Sequence, residues 1–322
     1  MTIDLNFHPK LAGFMLRGNK GDHFQSLGIH LESITENKLV MRLDYHEDLV
    51  GNPVTGAISG GAVTGLLDTC SGFVATVAQD PTGLTPTIDL RIDYLGVAKP
   101  GQPVYAQAEV YRITKDILFL RSTAYQDINK PIAHGTATFM NMAAPPGLAG
   151  MRDYVMNYFD KLPSAIDKTG PYSPLGLDVM KQAVQTAQKQ NDASILIDTI
   201  PYAKFLGIQR VLAPADNKFI FSMKPKKSLV GNPTLPAIHG GALGGFMETS
   251  AIIHLMMKLE VLLVPKVVNF SIDYIRAGKL KETFVRCKIV RFGRKLVNLS
   301  VEAWQEDEQT PIAKARMQVL LG

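Results

Sequence analysis

Two short stretches of this chain carry residue types that could do chemistry. "PAIHGGALGGFMETS", Pro236 to Ser250, sets His239 beside Gly240 and Gly241 and follows them with Glu248; "GAISGGAVTGLLDTC", Gly56 to Cys70, has Ser59, Gly60, Gly61 and Asp68 at the same places. A glycine pair opening a helix leaves the first N–H groups open to close approach. The helix dipole makes that end favourable for negative charge, so an anion or a developing oxyanion can sit there. The acid falls about two turns further on, in an otherwise apolar run. A buried carboxylate is expensive unless it is paired, so either a structural donor satisfies it or the position has chemistry to perform. The residues alone leave both readings open, and His239 likewise reads as a capping or packing histidine or as part of a site.

Other chemistries lack their residues. The seven histidines show no HxxxH spacing, and there is no phosphate loop, GxSxG elbow or GxGxxG fingerprint, so neither a metal nor a cofactor is expected. Cys70 and Cys287 fall at non-equivalent places, which speaks against a disulfide framework and for a reducing, cytoplasmic setting. The net charge of +5 favours anionic partners without selecting one. Its local excess, "KPKK" at 224–227 and "RCKIVRFGRK" at 286–295, reads as a solvated basic face or as a site for a phosphorylated ligand. No nucleic-acid reading head accompanies it. The N-terminal "MTIDLNFHPK" has no signal-peptide pattern, and the greasiest run, "IIHLMMKLEVLLVPKVV", is broken by Lys258, Glu260 and Pro265, so neither secretion nor membrane insertion is expected.

The elements that must position these residues come twice. Shifted by 180 residues, "LVGNP" at 49–53 falls on "LVGNP" at 229–233, "IDY" at 92–94 on 272–274, and "PIA" at 131–133 on 311–313. A period that long means a duplicated domain. In each copy a lead-in ("SLGIHLESI", "FLGIQRVLA") precedes a strand-like piece such as "KLVMRLD", then a Gly/Asn/Pro-rich loop, then the stretch that starts at the double glycine. That stretch has no period of two and is too long for a strand, so it reads as a helix apolar nearly all round and therefore buried. Strands are expected from the alternation of Ile88, Leu90, Ile92 and Tyr94, and of Val268, Phe270, Ile272 and Tyr274, then near 102–114, 117–127, 131–141, 282–293, 296–305 and 311–321. Short turns between them imply an antiparallel sheet.

The expected architecture is thus α+β: in each copy a long central helix clasped by a curved antiparallel sheet of about five or six strands, the two copies forming an intrachain pseudo-dimer. The expected divisions are an N-terminal domain at 1–145, a linking region at 146–200 and a C-terminal domain at 201–322. In the linking region, "AAPPGLAG" at 143–150 reads as a linker, with helices near 151–161 and 175–192, the second carrying Leu177, Met180, Val184 and Ala187 on one stripe.

"NP…AIHGGALGGFMET" followed by a strand ending "IDYIRAG", and "NPVTGAISGGAVTGLLDTCSGF" with it, resemble the hotdog-fold acyl-CoA thioesterases of the phenylacetate-degradation type, in the 4-hydroxybenzoyl-CoA thioesterase superfamily. The resemblance spans roughly 24–141 and 203–322 and implies two tandem hotdog domains. It implies sites across the pseudo-dimer interface, one joining Asp68 to Asn232, His239, Gly240 and Gly241, the other joining Glu248 to Asn52, Ser59, Gly60 and Gly61. Ser59 stands where the family has His, so the first site alone has the full set. By the same resemblance the Gly240 N–H would hold the thioester oxyanion and Asp68 would act as general base or attack directly. His239 would position the turn or the Asn232 amide, and Thr87 would hold water, a role that Val267 in the other copy cannot take. Arg276, Lys279, Arg291, Arg294 and Lys295 are candidates to meet CoA phosphates. The implied partner is an acyl-CoA substrate, with a homodimer of double-hotdog chains as the implied assembly. The competing readings are a non-catalytic acyl-CoA-binding protein and a hotdog dehydratase or hydratase.

Overall fold

A computed structural model describes residues 22–34, 38–78, 84–142, 172–211, 219–231, 237–258 and 264–321. The first copy runs α1 (His23–Leu27), β1 (Ile29–Ile34), β2 (Lys38–Leu43), a short ribbon of β3 (Val50–Asn52) and β4 (Ala57–Ile58), the long helix α2 (Gly60–Ala78), then β5 (Thr87–Tyr94), β6 (Val104–Ile113), β7 (Ile117–Asp127) and β8 (Lys130–Met140). After the connecting helices α3 (Leu177–Gln190) and α4 (Ser194–Thr199), the second copy repeats the order. It runs α5 (Pro201–Leu206), β9 (Ile208–Val211), β10 (Ile220–Met223), α6 (Gly240–Lys258), β11 (Lys266–Tyr274), β12 (Thr283–Phe292), β13 (Leu296–Trp304) and β14 (Ala313–Leu320).

Twelve strands form one antiparallel sheet, in the order β1-β2-β6-β7-β8-β5-β11-β14-β13-β12-β10-β9. The two halves meet at β5 and β11, where Leu90 pairs with Ile272 and Ile92 with Phe270. Those are equivalent residues exchanging partners, which is what a two-fold axis through the seam requires. All four are fully buried, so the alternation that marks these strands in the sequence is the alternation that welds the copies together.

Each long helix is apolar nearly all round because strands wrap it. α2 packs on β2 and β5 to β8 and crosses α6 on its remaining side. The crossing depends on glycine. A Cβ on Gly241 would lie 2.6 Å from the Gly65 Cα, and one on Gly61 would lie 2.8 Å from the Gly245 Cα. The spacing G-x-x-x-G in both helices lets the two backbones touch. The antiparallel approach carries the acid of each helix to the glycine end of the other. Among the described residues α2 is the helix long and apolar enough to span a membrane, and it is the core of this sheet.

The expected strands and central helices are present, with corrections. The lead-ins are themselves strands, β1 and β9, and the Gly/Asn/Pro-rich loop of the first copy contains the β3–β4 ribbon. On α3, Met180, Val184 and Ala187 are buried, whereas Leu177 is 43% exposed. Leu177 is the first residue of that helix, where the turn has not yet reached its packing partner. The linker at 143–150, the helix near 151–161 and Asn232 lie outside the described residues.

Candidate active site

The end of β10 leads through a 3-10 turn, Lys227–Leu229, toward the start of α6. The His239 N–H donates to the Leu229 carbonyl at 2.8 Å, and a Cβ on Gly231 would lie 2.9 Å from the His239 Cα. The glycine of the repeated "LVGNP" therefore lets this chain segment press flat against His239, as Gly51 does against Ser59. His239 caps the helix: its Nδ1 accepts the Gly241 N–H at 3.0 Å, one of the first-turn donors that a helix cannot satisfy by itself.

That bond fixes the tautomer. With Nδ1 an acceptor, the ring proton is on Nε2, which lies 3.3 Å from the Thr69 Oγ1. Thr69 passes its own proton to the Gly65 carbonyl at 2.6 Å. Burial lowers the His239 pKa from the ordinary 6.5 to about 4, so the ring is neutral at physiological pH. Beside it lies His23 of α1, its ring tilted by 37° with centroids 4.9 Å apart, whose Nδ1–H donates to the Ser228 carbonyl at 2.7 Å.

Asp68 comes from the other copy. Its Oδ2 lies 3.3 Å from His239 Nδ1, and its Oδ1 accepts the Thr87 hydroxyl at 3.0 Å. A Cβ on Gly240 would fall 2.8 Å from Oδ2, so only glycine admits the carboxylate to the end of α6. Asp68 is 4% exposed. Burial raises its pKa from 3.8 to about 6, opposed by the Thr87 hydroxyl and the Gly241 N–H. The result is a carboxylate ionised at neutral pH yet far more basic than usual, at a helix N-terminus. Among the described residues the Gly240 N–H finds no acceptor, and Tyr274 steadies the turn by donating to the Gly240 carbonyl at 2.7 Å.

At the second crossing, Ser59 Oγ accepts the Gly61 N–H at 3.3 Å and so also caps its helix, but it is too short to bridge the helices. Glu248 is fully buried, with Oε2 accepting from the Tyr94 hydroxyl at 2.9 Å and from Thr64 at 3.2 Å. Burial raises its pKa from 4.5 to about 7. Asn52 turns its Oδ1 onto the Val54 and Thr55 N–H groups and thereby holds its own loop. Arg276, in the loop after β11, is exposed and donates to the Pro311 carbonyl at 2.6 Å. That loop runs beside the approach to His239, since the Ile238 N–H donates to the Gly278 carbonyl at 2.8 Å and Ala237 bridges Lys279.

Sequence reasoning did not single out His23, Thr69, Tyr274 or Gly231. Gly231 had a signal in the exact repetition of "LVGNP", and Thr69 in its place directly after the acid. His23 had none, because only the tertiary fold sets α1 over the second copy. Among the described residues no three His, Cys, Asp or Glu side chains are placed to share a metal ion.

Two glycine-crossed central helices within one twelve-stranded antiparallel sheet define a tandem hotdog protein. The chain belongs to the thioesterase superfamily, whose family model matches residues 55–133 and again 235–312. A candidate esterase of Halobacterium salinarum is 30% identical over 107 residues, covering 32% of this chain and 70% of that protein. Among solved structures, the acyl-CoA thioesterase II of Mycobacterium marinum is similar over 92% of this chain and 96% of its own, at 15% identity and a TM-score of 0.53. A hotdog-fold protein of Alicyclobacillus acidocaldarius is similar over 93% of this chain and 97% of its own, at 13% identity and a TM-score of 0.52. These two likenesses concern the fold.

Proposed function

We propose that the chain hydrolyses acyl-CoA thioesters to free acid and CoA at the crossing of Asp68 with His239 and Gly240. The observation that carries this reading is a buried, basic carboxylate held between the Thr87 hydroxyl and the open glycine end of a helix from the other copy. Asp68 takes a proton from water as the water oxygen bonds to the thioester carbonyl carbon. The carbonyl oxygen becomes an oxyanion facing the Gly240 N–H at the positive end of α6. When it collapses, the carbon–sulfur bond breaks and the proton on Asp68 passes to the departing thiolate.

His239 is a positioning residue in this scheme. Its neutral ring spends Nδ1 on the first turn of α6 and Nε2 on α2, which fixes the oxyanion site relative to the base. Thr87 gives its single proton to Asp68, so it meets the attacking water only as an acceptor. In this reading Arg276 and Lys279, on the loop beside Ala237–His239, would meet CoA phosphates. The test is thiol release from short, medium, long and aromatic acyl-CoAs, by wild type and by Asp68→Asn. Release that depends on Asp68 supports the reading. Tight binding of acyl-CoA without release would make the chain a binding protein, and turnover of an enoyl or 3-hydroxyacyl thioester without release would make it a hydratase.

A further inference from the structure

The two crossings are related by the repeat and share a tyrosine that donates to the first glycine carbonyl of each central helix, Tyr94 to Gly60 and Tyr274 to Gly240, yet most of their other polar groups differ. Aligning "SLGI" with "FLGI" places His23 of α1 against Tyr202 of α5, and the 180-residue shift places Thr64 against Gly244, Asp68 against Glu248 and Thr87 against Val267. At the first crossing the imidazole of His239 spans from one helix to the other. At the second, Ser59 leaves that space, and the phenol of Tyr202 enters it. A Cβ on Gly61 would lie 2.7 Å from the Tyr202 Cε1, and one on Gly245 would lie 2.5 Å from the Tyr202 hydroxyl. Tyr202 is fully buried, its ring stacked on Phe205 at 5.8 Å.

The acid is handled differently too. Glu248 is longer than Asp68 by one methylene, and its Oε1 would sit 2.2 Å from a Cβ on Gly60, against 2.8 Å for Asp68 Oδ2 at Gly240. The carboxyl is thus driven onto the helix end where a thioester oxygen would have to enter. Its other oxygen is tied by Tyr94 and Thr64, and the Thr64 hydroxyl has no counterpart in Gly244.

We propose that the second crossing is closed to substrate, sealed by Tyr202 and by Glu248 latched to Tyr94 and Thr64, so that the chain has a single catalytic centre. The inference deepens the hydrolase reading and rests on it for the word catalytic, but closure can be tested without any substrate. The native cysteines, Cys70 and Cys287, are both buried, so a cysteine placed at Ser59 reports on that crossing. Labelling of Ser59→Cys by a small thiol reagent is expected to be slowed at least ~100-fold relative to the same protein denatured, because it must wait for local opening. Adding Tyr202→Ala should speed labelling by about tenfold or more, as the cover is removed. Rapid labelling of Ser59→Cys, or a rate indifferent to Tyr202→Ala, would overturn closure.

Turnover supplies the second arm. If Asp68 serves the only centre, Asp68→Asn should fall to below about 1% of wild-type thiol release, within the range expected for loss of a general base. Residual activity near half of wild type would show a second working centre and overturn the proposal. A wild type that released no thiol from any acyl-CoA would instead sink the hydrolase reading, leaving the labelling result to decide closure.

Discussion

Asp68 Oδ2 lies 3.3 Å from His239 Nδ1, although the two residues belong to helices of different repeats. Both atoms are acceptors when Asp68 is ionised, with the Gly241 N–H beside them. Burial makes the carboxylate basic, and the Gly241 N–H works against it. Asp68 must be ionised to act, and burial raises its pKa from 3.8 to about 6, so thiol release should fall as pH drops through that value and level off above it. His239 titrates near 4, so it should add no break between pH 5 and 8. A profile of kcat/KM against pH checks both statements; a limb that follows histidine protonation near its ordinary value would contradict them.

His239→Ser would install the residue that the first repeat uses. The hydroxyl can still cap Gly241, as Ser59 caps Gly61, but the contact with Thr69 is lost. Stability should fall by no more than about 1 kcal/mol, because the cap survives. Activity should fall further than that, mainly in kcat, since the helix end that meets the oxyanion loses its tie to the helix that carries the base. His239→Ala, which removes cap and tie together, should cost about 1 kcal/mol more in denaturant unfolding than His239→Ser.

How much of this was legible in the sequence depends on the range of the interaction. The exact repeats and the alternation at Leu90, Ile92, Phe270 and Ile272 announce duplication, an antiparallel sheet and a buried helix, because each is a local pattern. The meeting of Asp68 with His239 was reached through resemblance, since no local pattern says which helix end an acid will approach. The G-x-x-x-G spacing in both helices was on view as the physical cause of that meeting. Tyr202 was not legible as a seal: it lies just before the lead-in "FLGIQRVLA", and its burial against Gly61 and Gly245 appears only once α5 is seen packed beside the crossing.

Glu248→Gln separates the electrostatic cost of the second acid from its packing. The folded pKa, about 7, lies above the ordinary 4.5, so the folded state holds a proton that the unfolded chain releases between those values. Stability from this group is therefore present in full at low pH and lost as pH rises through about 7. The shift corresponds to about 3 kcal/mol. Gln carries no such penalty, so the stability of Glu248→Gln relative to wild type should improve by up to about 3 kcal/mol between pH 5 and 8. Urea unfolding at both pH values measures it, and a difference independent of pH would show that Glu248 titrates normally.

Gly241→Ala and Gly72→Ala form a matched pair on the two central helices. Alanine favours a helix interior over glycine by about 1 kcal/mol, a gain that applies in full at Gly72 and less at Gly241, the second residue of α6. At Gly72 the new methyl would meet the Phe139 ring at 3.6 Å, an ordinary contact, and a gain of about 0.5–1 kcal/mol is expected. At Gly241 it would meet the Gly65 Cα at 2.6 Å, backbone against backbone, with no flexible side chain to move aside. The helices must part there, and overpacking of this kind costs about 1–3 kcal/mol or more. Gly241→Ala should therefore lower the unfolding midpoint. It should also reduce thiol release beyond what the stability loss explains, because parting the helices lengthens the reach from Asp68 to Gly240. Equal effects of the two substitutions would mean that the crossing does not depend on backbone contact.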